Sequence, residues 1–410
     1  MKYTFAFLCL ILVACSSSRN LTHPSDHNTY QYALDLAHRY IITDTHIDLP
    51  EWLEEIHFNI DSSDPGVLIE NTNGDFDYQR AVQGGLDAPF MSIYVPSSYQ
   101  KDLTEAKSYA EHLIHIVEGM IRTYPDKFAR GDTPAMIDSN FAKGLISLPM
   151  GLENGAPLIT LDDVDYFYSR GIRYVTLTHA RDNQICDSSY DTTGTWDGLS
   201  PYGREIIRRM NDVGMIIDIS HVTDQTFYQV MELSKAPVLA THSSCRAFTP
   251  GWQRNMSDDM IILLAKKGGV IQINFGSNFL DEDVVKRRKE REAALQAQLT
   301  KAGLKADDPA AAPLLEKFNK KHPDVFADVK TVADHIDHVR DIAGIDHIGI
   351  GSDFDGVGNT LPIGLKDVSM YPNLIYELLK RDYTEEDIAK ICYLNTWRVW
   401  NAVNAASTTR

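Results

Sequence analysis

Several features that would place a chain in a special class are scarce here. Only five cysteines occur in 410 residues and none forms a CxxC pair, which argues against a disulfide framework or a cysteine zinc site and leaves room for one disulfide. Basic residues number 39 against 57 acidic ones, and a formal charge of −18 argues against a nucleic-acid partner, which would need a basic face. The sequence also lacks internal repeats and low-complexity blocks. These absences leave an ordinary globular protein.

A membrane-spanning run is missing as well. The apolar stretch at the N-terminus, in MKYTFAFLCLILVAC, is too short to cross a bilayer. It follows a lysine and ends in LVAC, which resembles a bacterial lipobox and predicts a signal peptide over residues 1–14. Lipidation of Cys15 and a polar tether over residues 15–32 would give an exported bacterial lipoprotein, membrane-anchored on the periplasmic or cell-surface side. The alternative is a plain signal peptide whose cysteine is incidental.

The remaining sequence has the pattern of a single α/β domain. A content of 43% hydrophobic and 23% charged residues supplies a large core. Eight short apolar runs alternate with stretches of helical periodicity, which predicts a (β/α)8 barrel over residues 33–405. A charged, alanine-rich stretch at 281–328 breaks the alternation and predicts an exposed helical insertion. The predicted strands are 40–46, 89–95, 144–150, 172–178, 214–220, 237–241, 269–275 and 346–352.

Groups that bind metals or transfer protons follow six of these eight predicted strands. Residues two apart in a strand point to the same face, so the imidazole and the carboxylate of THID make half of a metal site. The carboxyl ends of parallel barrel strands share the face that holds the active site, so side chains remote in sequence should converge there. These side chains are His46, Asp48, Glu153, His179, His221, His242 and Asp353.

Each of these residues has a simpler explanation when it is taken alone. A single histidine after a strand is more often a satisfied polar residue, and Glu153 or Asp353 could begin or cap a helix. The consistent placement at strand ends argues for a functional set instead. Imidazoles and carboxylates suit zinc or another divalent metal, and they outnumber the ligands of one tetrahedral ion. A carboxylate that bridges two ions about 3.5–4 Å apart would use the whole set.

Longer stretches of the chain resemble the membrane dipeptidase (renal dipeptidase) family, metallopeptidases of the amidohydrolase-type barrel superfamily. The resemblance is carried by DTHIDLP, GLENG, GIRYVTLTH, GLSPYGREIIRRMNDVGMIIDISHV, PVLATHSSCRA, RNMSDD, HIGIGSDFDGV and DVSMYPNLIYELLKRDYTEEDIAKICYLNTWRVW. It covers roughly residues 33–400, nearly the whole mature chain. The motifs together are highly specific, whereas a lone DxHxD would be weak.

The resemblance implies a role for each site residue, around two zinc ions per chain. His179 would contact the scissile carbonyl and stabilise the oxyanion. Arg254 would hold the C-terminal carboxylate of the substrate, because a guanidinium meets a carboxylate in a bidentate way. Asp353 would move the proton from the attacking water to the leaving amine and would contact the ammonium group of the substrate. The implied metal ligands are His46 and Asp48 on one ion, His221 and His242 on the other, and Glu153 bridging both.

The implied activity is hydrolysis of dipeptides by a hydroxide that bridges the two ions, with L,D- as well as L,L-dipeptides in the range of the family. The partners would be small dipeptides, and related enzymes are often homodimers. One alternative is another reaction on the same barrel, such as hydrolysis of N-acyl amino acids, lactones or β-lactams. The other is a lipoprotein that binds peptides, or serves only as structure, without catalysis. Metal analysis discriminates this second alternative from an enzyme.

Overall fold

Ten strands form in the computed structural model, which describes residues 26–61, 65–71 and 73–408. The strands are β1 Ile42–Ile47, β2 Leu86–Tyr94, β3 Phe128–Arg130, β4 Ile146–Leu148, β5 Met150–Glu153, β6 Ile172–Thr176, β7 Ile216–Asp218, β8 Leu239–Ser243, β9 Val270–Ile273 and β10 Ile348–Ile350. Eight of them pair in parallel in the order β1-β2-β5-β6-β7-β8-β9-β10, whereas β3 and β4 form a separate pair. The predicted (β/α)8 barrel is confirmed.

The barrel closes between β1 and the segment that follows β10. Asp48 N–H donates to Phe354 O at 2.8 Å, and Asp353 N–H donates to His46 O at 3.0 Å. These bonds extend the parallel pairing beyond the end of β10, where Ile47 and Phe354 form a bridge. Closure therefore brings two predicted ligands from the first strand beside a predicted acid from the last one.

Helices connect the strands and cover the outside of the barrel. A single π-helical turn, Lys390–Leu394, joins the last two of them. The helices of the described residues are α1 Asp26–Arg39, α2 Leu49–Glu55, α3 Tyr78–Gly84, α4 Leu103–Thr123, α5 Pro134–Phe141, α6 Asp162–Ser169, α7 Pro201–Val213, α8 Asp224–Leu233, α9 Asp258–Lys266, α10 Ser277–Leu280, α11 Glu282–Ala302, α12 Ala312–Lys321, α13 Val329–Ala343, α14 Tyr371–Lys380, α15 Glu385–Ala389 and α16 Asn395–Ala406.

Local sequence signals set the helix boundaries, as α7 illustrates. Ser200 accepts a hydrogen bond from Gly203 N–H at 2.8 Å, and Pro201 occupies the first turn, where its missing N–H is not needed. Gly214 ends the helix at a φ of 86°, a left-handed conformation that glycine adopts without strain. The chain then enters β7 at once, so that His221 follows at the carboxyl end of the barrel.

An aromatic column fills the barrel interior below the carboxyl-end rim. The ring centroid of Trp400 lies 5.3 Å from that of Phe90, which lies 5.6 Å from that of Tyr174, and all three residues are fully buried. Gly151 makes room for the column, because a Cβ at this position would lie 1.9 Å from the Tyr174 ring. The Tyr174 hydroxyl lies 2.8 Å from His46 Nδ1, so the apolar filling ends directly beneath a predicted metal ligand.

The third predicted strand, 144–150, differs from the structure. Its first part is β4, which pairs with β3 outside the barrel, and the barrel strand is β5. Pro149 separates the two, and a proline has no N–H with which to continue a ladder. Glu153 is consequently the last residue of its strand rather than a residue beyond it.

The chain before the barrel is helical from Asp26, and this helix spans the predicted domain boundary at residue 33. Arg39 at the end of this helix donates to Glu385 at 2.9 Å, which ties it to the C-terminal helices. The predicted signal peptide and Cys15 lie outside the described residues, and the exported, lipid-anchored state stays a prediction. Among the described residues, none of the helices combines the length and the apolar character that crossing a bilayer requires.

The predicted insertion at 281–328 is helical and consists mainly of α11 and α12. Arg288 and Arg291 of α11 each donate to a carbonyl oxygen of the returning segment, Val325 O and His322 O, at 2.9 Å. The insertion follows β9 and α10, so it emerges from the carboxyl-end rim of the barrel.

A buried histidine on α13 makes the fold sensitive to acid. His335 Nδ1 accepts from Cys245 N–H at 3.1 Å and its Nε2 donates to Leu280 O at 2.9 Å, a pattern that only the neutral ring can make. Burial lowers the pKa of His335 to about 4, although the bond to Leu280 opposes part of the shift. Between pH 6.5 and 4, the unfolded chain therefore binds a proton here that the folded chain does not bind.

We expect this group to lower the free energy of unfolding by about 2 kcal/mol between pH 7 and pH 5, because acid favours the state that binds the proton. Urea denaturation of chelator-treated protein measures the difference without a contribution from metal release. His335→Gln offers a donor and an acceptor that do not titrate and should lose this contribution, whereas His115→Gln on the surface should keep it. Equal pH dependence of the wild type and His335→Gln would contradict the assignment.

Candidate metal centre

Glu153 lies at the centre of the predicted ligands, and its two oxygens contact different groups. Oε2 lies 3.2 Å from His46 Nε2, whereas Oε1 lies 3.2 Å from His221 Nε2 and 3.3 Å from His242 Nε2. Asp48 Oδ2 lies 3.5 Å from His46 Nε2. All five side chains are buried, with exposed fractions of at most 6%. The two oxygens of one carboxylate therefore contact different histidines, although the rings of His46 and His242 stack with centroids 3.7 Å apart.

Three overlapping sets of side chains at this site have ligand atoms within 4.8 Å of one another. Two of the sets share Glu153, and they group His46 with His242 and His179 with His221. His242 approaches Glu153 Oε1 more closely than His179 does, at 3.3 Å against 3.7 Å. The sets are His46, Glu153 and His242; Glu153, His179 and His221; and His46, Asp48 and Asp353.

The buried carboxylates and imidazoles of the site shift one another's pKa values. Burial alone would raise the pKa of Glu153, but the surrounding imidazoles, led by that of His46, hold it well below its usual range. Burial alone would lower the pKa of His46, but Tyr174, Glu153 and Asp48 outweigh it and raise that pKa well above its usual range. The carboxylates of Glu153 and Asp48 therefore favour positive charge on the His46 ring, and that ring favours negative charge on Glu153.

Burial favours the neutral form of the His221 and His242 imidazoles. Burial lowers the pKa of each well below its usual range, and Arg254 adds to the effect at His221 as His46 does at His242. The two Nε2 atoms lie 2.7 Å apart. Metals bind the neutral form of histidine, so both rings suit a metal, although Arg254 Nη2 also lies 3.1 Å from His221 Nε2.

His179 and Asp353 lie in the wall of a cavity of 430 Å³ above the ligand cluster. Burial lowers the pKa of His179, and its Nδ1 is a buried atom without a hydrogen-bond partner in the described part of the chain. Burial, with Asp48, raises the pKa of Asp353 to about 7, and Asn274 donates to this carboxylate at 2.6 Å. Cations bound beside it would lower that pKa. A neutral imidazole and a titratable carboxylate thus face one cavity.

Arg254 lies next to β8 and is 2% exposed. Its Nη2 donates to His242 O at 2.6 Å and its Nη1 to Ser243 Oγ at 2.9 Å, whereas its Nε is buried without a partner among the described residues. The guanidinium carbon lies 5.3 Å from the ring centroid of Phe279, which lines the cavity. The structure thus brings Arg254 to the site, with two of its nitrogens already bonded to a ligand strand.

Four residues at the rim have left-handed backbone conformations, which residues other than glycine rarely adopt. The φ angles are 71° at Asn154, 67° at His221, 66° at Asp353 and 65° at Asp355. Such conformations cost on the order of 1 kcal/mol each and persist where the surrounding structure fixes them. They turn the chain shortly after the ends of β5, β7 and β10 and place His221 and Asp353 at the cavity.

The two strands for which the sequence indicated no site residue also contribute to the site. Tyr94 ends β2 and lines the cavity, with its ring centroid 4.7 Å from that of His179. Asn274 directly follows β9 and donates to Asp353. Their positions at strand ends were the available signal, but a tyrosine and an asparagine do not stand out as ligands or bases. Other cavity residues that the sequence did not indicate include Glu51, Glu55, Tyr190 and Phe279.

A parallel (β/α)8 barrel with imidazoles and carboxylates at the carboxyl ends of its strands defines a metal-dependent hydrolase. Comparison with protein families makes the assignment specific. The model of the membrane dipeptidase family, peptidase family M19, matches residues 30–410, and the chain belongs to this family. The family predicted from the motifs is confirmed, and the protein is a metallodipeptidase.

Curated relatives match over most of their length. An uncharacterised dipeptidase of Schizosaccharomyces pombe is 32% identical over 375 residues, which cover 88% of this chain and 80% of the relative. Dipeptidase verJ of Clonostachys rogersoniana is 33% identical over 389 residues, covering 92% of this chain and 87% of the relative. Both names agree with the family assignment.

Solved structures match the fold over nearly the whole chain. The probable dipeptidase PvdM of Pseudomonas aeruginosa has a TM-score of 0.77 at 27% identity and covers 93% of this chain and 100% of its own. Dipeptidase AC, a metallopeptidase of family M19, has a TM-score of 0.71 at 25% identity and covers 89% of this chain and 98% of its own. These neighbours confirm that the barrel is that of the family.

Gly356 leaves no room for a side chain beside two carboxylates of the site. A Cβ at this position would lie 2.1 Å from Asp48 Oδ2 and 2.5 Å from Asp353 Oδ1. We expect Gly356→Ala to displace both carboxylates and to lower the rate of dipeptide hydrolysis about 100-fold, because misplacement by about 1 Å has this effect. The barrel should still fold, since side-chain tips can move, and circular dichroism should be unchanged.

The matched control is Gly358→Ala, in the same loop and in open space. Its φ of 53° makes alanine unfavourable by about 1–2 kcal/mol, but hydrolysis should continue at the wild-type rate. Wild-type activity in Gly356→Ala would contradict the contact with Asp48 and Asp353.

Proposed function

We propose that this dipeptidase holds two zinc ions bridged by Glu153 and uses them to cleave the peptide bond of dipeptides. The observation that carries the proposal is the division of the Glu153 carboxylate, whose Oε2 faces His46 and whose Oε1 faces His221 and His242. Asp48 completes the first group. Imidazole nitrogens and carboxylate oxygens are typical zinc ligands, and these five side chains exceed the needs of one tetrahedral ion.

The buried polar atoms of the site fit such a metal pair. His46 Nε2 and Asp48 Oδ1 are buried without hydrogen-bond partners among the described residues. Buried polar atoms without partners destabilise the fold. A metal bound to these two atoms would therefore be stabilising. No thiolate competes for the metal, because the nearby Cys245 is fully buried and its Sγ lies 3.7 Å from His335 O.

When bound, the two ions supply a water of lowered pKa as nucleophile and polarise the scissile carbonyl. Asp353 accepts the proton of the nucleophile and returns it to the leaving amine, while Asn274 fixes the orientation of its carboxylate. His179, as a neutral imidazole, donates to the carbonyl oxygen while negative charge develops there. The 430 Å³ cavity lies within the range of about 300–1,000 Å³ of small-molecule sites.

A dipeptide carries an ammonium group and a carboxylate on either side of a single peptide bond. In the proposed complex, Asp353 contacts the ammonium group and Arg254, through its unpartnered Nε side, contacts the carboxylate. A longer peptide would leave one of these charged groups buried without a partner, which is unfavourable. This pair of charges therefore supports a preference for dipeptides. A homodimer stays a prediction.

The proposal is tested on purified mature protein by metal analysis and by a substrate panel. We expect two zinc ions per chain and dipeptide hydrolysis that is lost on chelation and restored by zinc. The panel contains L,L- and L,D-dipeptides, a tripeptide, N-acyl amino acids, a lactone and a β-lactam, so it distinguishes the reactions left open by the sequence.

Glu153→Gln should lose both zinc ions and activity, whereas Glu111→Gln on the outer helix α4 should keep them. Full activity with one ion per chain, or faster hydrolysis of another substrate class, would overturn the proposal.

Arg254→Ala should raise KM for dipeptides about 10- to 100-fold, because a charged hydrogen bond to the substrate carboxylate contributes about 1.5–3 kcal/mol. The same variant should cleave a dipeptide amide, which has no carboxylate, at the wild-type rate. The control is Arg246→Ala, which removes an arginine of the same loop that pairs with Asp224 instead. Loss of zinc without a change in KM would show that Arg254 only anchors β8.

A further inference from the structure

We infer that Asp218, acting through the hydroxyl of Thr241, fixes the ring proton of His242 on Nδ1 and so keeps Nε2 free to bind a metal. The inference rests on the proposed two-zinc site and concerns residues behind it. Asp218 ends β7 and Thr241 precedes His242 in β8, and all three are fully buried. Neither Asp218 nor Thr241 faces the cavity, so both are positioning residues.

The carboxylate of Asp218 accepts from four donors. Its Oδ1 accepts from Ser220 N–H at 3.0 Å and Thr241 N–H at 2.8 Å, and its Oδ2 accepts from the hydroxyls of Thr176 at 2.5 Å and Thr241 at 2.7 Å. Four donors fill the acceptor positions of an ionised carboxylate. Asp218 forms no ion pair with any described residue, so hydrogen bonds alone compensate for its burial.

The direction of the next bond follows from the single proton of the Thr241 hydroxyl. Thr241 Oγ1 lies 2.7 Å from Asp218 Oδ2 and 2.8 Å from His242 Nδ1. An ionised carboxylate is a stronger acceptor than an imidazole nitrogen, so the hydroxyl donates to Asp218. Its oxygen must then accept from His242, which requires the ring proton to be on Nδ1.

This arrangement leaves the lone pair of His242 Nε2 directed at the metal centre. Nε2 lies 3.3 Å from Glu153 Oε1, so an unprotonated nitrogen and a carboxylate oxygen face each other. Nε2 also lies 2.7 Å from His221 Nε2, so several acceptor atoms meet here, and a cation among them would stabilise the arrangement. Metal-binding histidines commonly donate their other N–H to a carboxylate or carbonyl, and here a threonine hydroxyl transmits that role from Asp218.

The other ligand histidines are held differently. His46 Nδ1 contacts the Tyr174 hydroxyl, which can donate or accept. His221 Nε2 lies 3.1 Å from Arg254 Nη2, which can only donate, so this contact also favours a proton on Nδ1, an atom without a partner among the described residues. At His242, by contrast, a hydrogen bond of Nδ1 itself fixes the proton before a metal binds.

The first test measures zinc affinity by competition with a chromophoric chelator. Thr241→Val removes the hydroxyl at nearly constant shape and should raise the dissociation constant for Zn²⁺ about 10- to 100-fold. Thr241→Ser restores the hydroxyl and should bind as the wild type does. The control is Thr43→Val, which removes an equally buried hydroxyl that donates to Ala88 O at 2.8 Å, away from the ligands, and should leave the affinity unchanged. Wild-type affinity in Thr241→Val, or an equal loss in Thr43→Val, would overturn the inference.

The second test needs no variant and no metal. Long-range ¹H–¹⁵N correlation spectra of metal-free wild-type protein should show His242 protonated on Nδ1. Protonation on Nε2 would overturn the inference even if Thr241→Val failed to fold. If the wild type bound no zinc, the proposed function would fail, but this spectrum would still decide on the tautomer. The two failures are therefore distinguishable.

Discussion

The carboxylate of Glu153 is buried among four imidazoles, and the rest of the structure depends on keeping it ionised there. Burial opposes the charge, and the surrounding rings outweigh that effect. A buried charge of this kind persists only where its neighbours are held in place, because removal of one of them would leave it uncompensated. The closed ring of strands provides this rigidity, since each ligand sits at the end of a strand that is paired on both sides.

Three layers of residues follow one another inside the barrel, from its base to the cavity. At the base, the rings of Trp400, Phe90 and Tyr174 exclude water and fix the strands by close packing. Above them lie hydroxyls and the carboxylate of Asp218, which orient ligands without facing the cavity. The ligands and the cavity come last. Each layer restricts the side-chain conformations of the next one. Residues that do not contact the substrate therefore help to set the positions of the metal ligands.

Some backbone conformations and close contacts at the rim of the barrel are unfavourable by themselves. Left-handed conformations at His221 and Asp353 store strain, and Gly356 permits a contact with Asp48 and Asp353 that any side chain would block. Several acidic groups also meet in a cavity of a chain that is already strongly negative. These features reduce stability, and they are consistent with a site whose energetic balance is completed by bound cations.

The sequence alone determined seven of the eight barrel strands, the helical insertion, the family and the ligand candidates, because strand periodicity and strand-end chemistry are local features of the chain. It placed the third strand too early, since the interruption at Pro149 depends on which partner each half finds. It did not indicate Tyr94, Asn274 or the Asp218–Thr241 pair, whose residue types are common in any strand and acquire a role only through their neighbours. Only the tertiary structure decided that the two oxygens of Glu153 face different histidines, because distances between side chains far apart in the chain are set when the barrel closes.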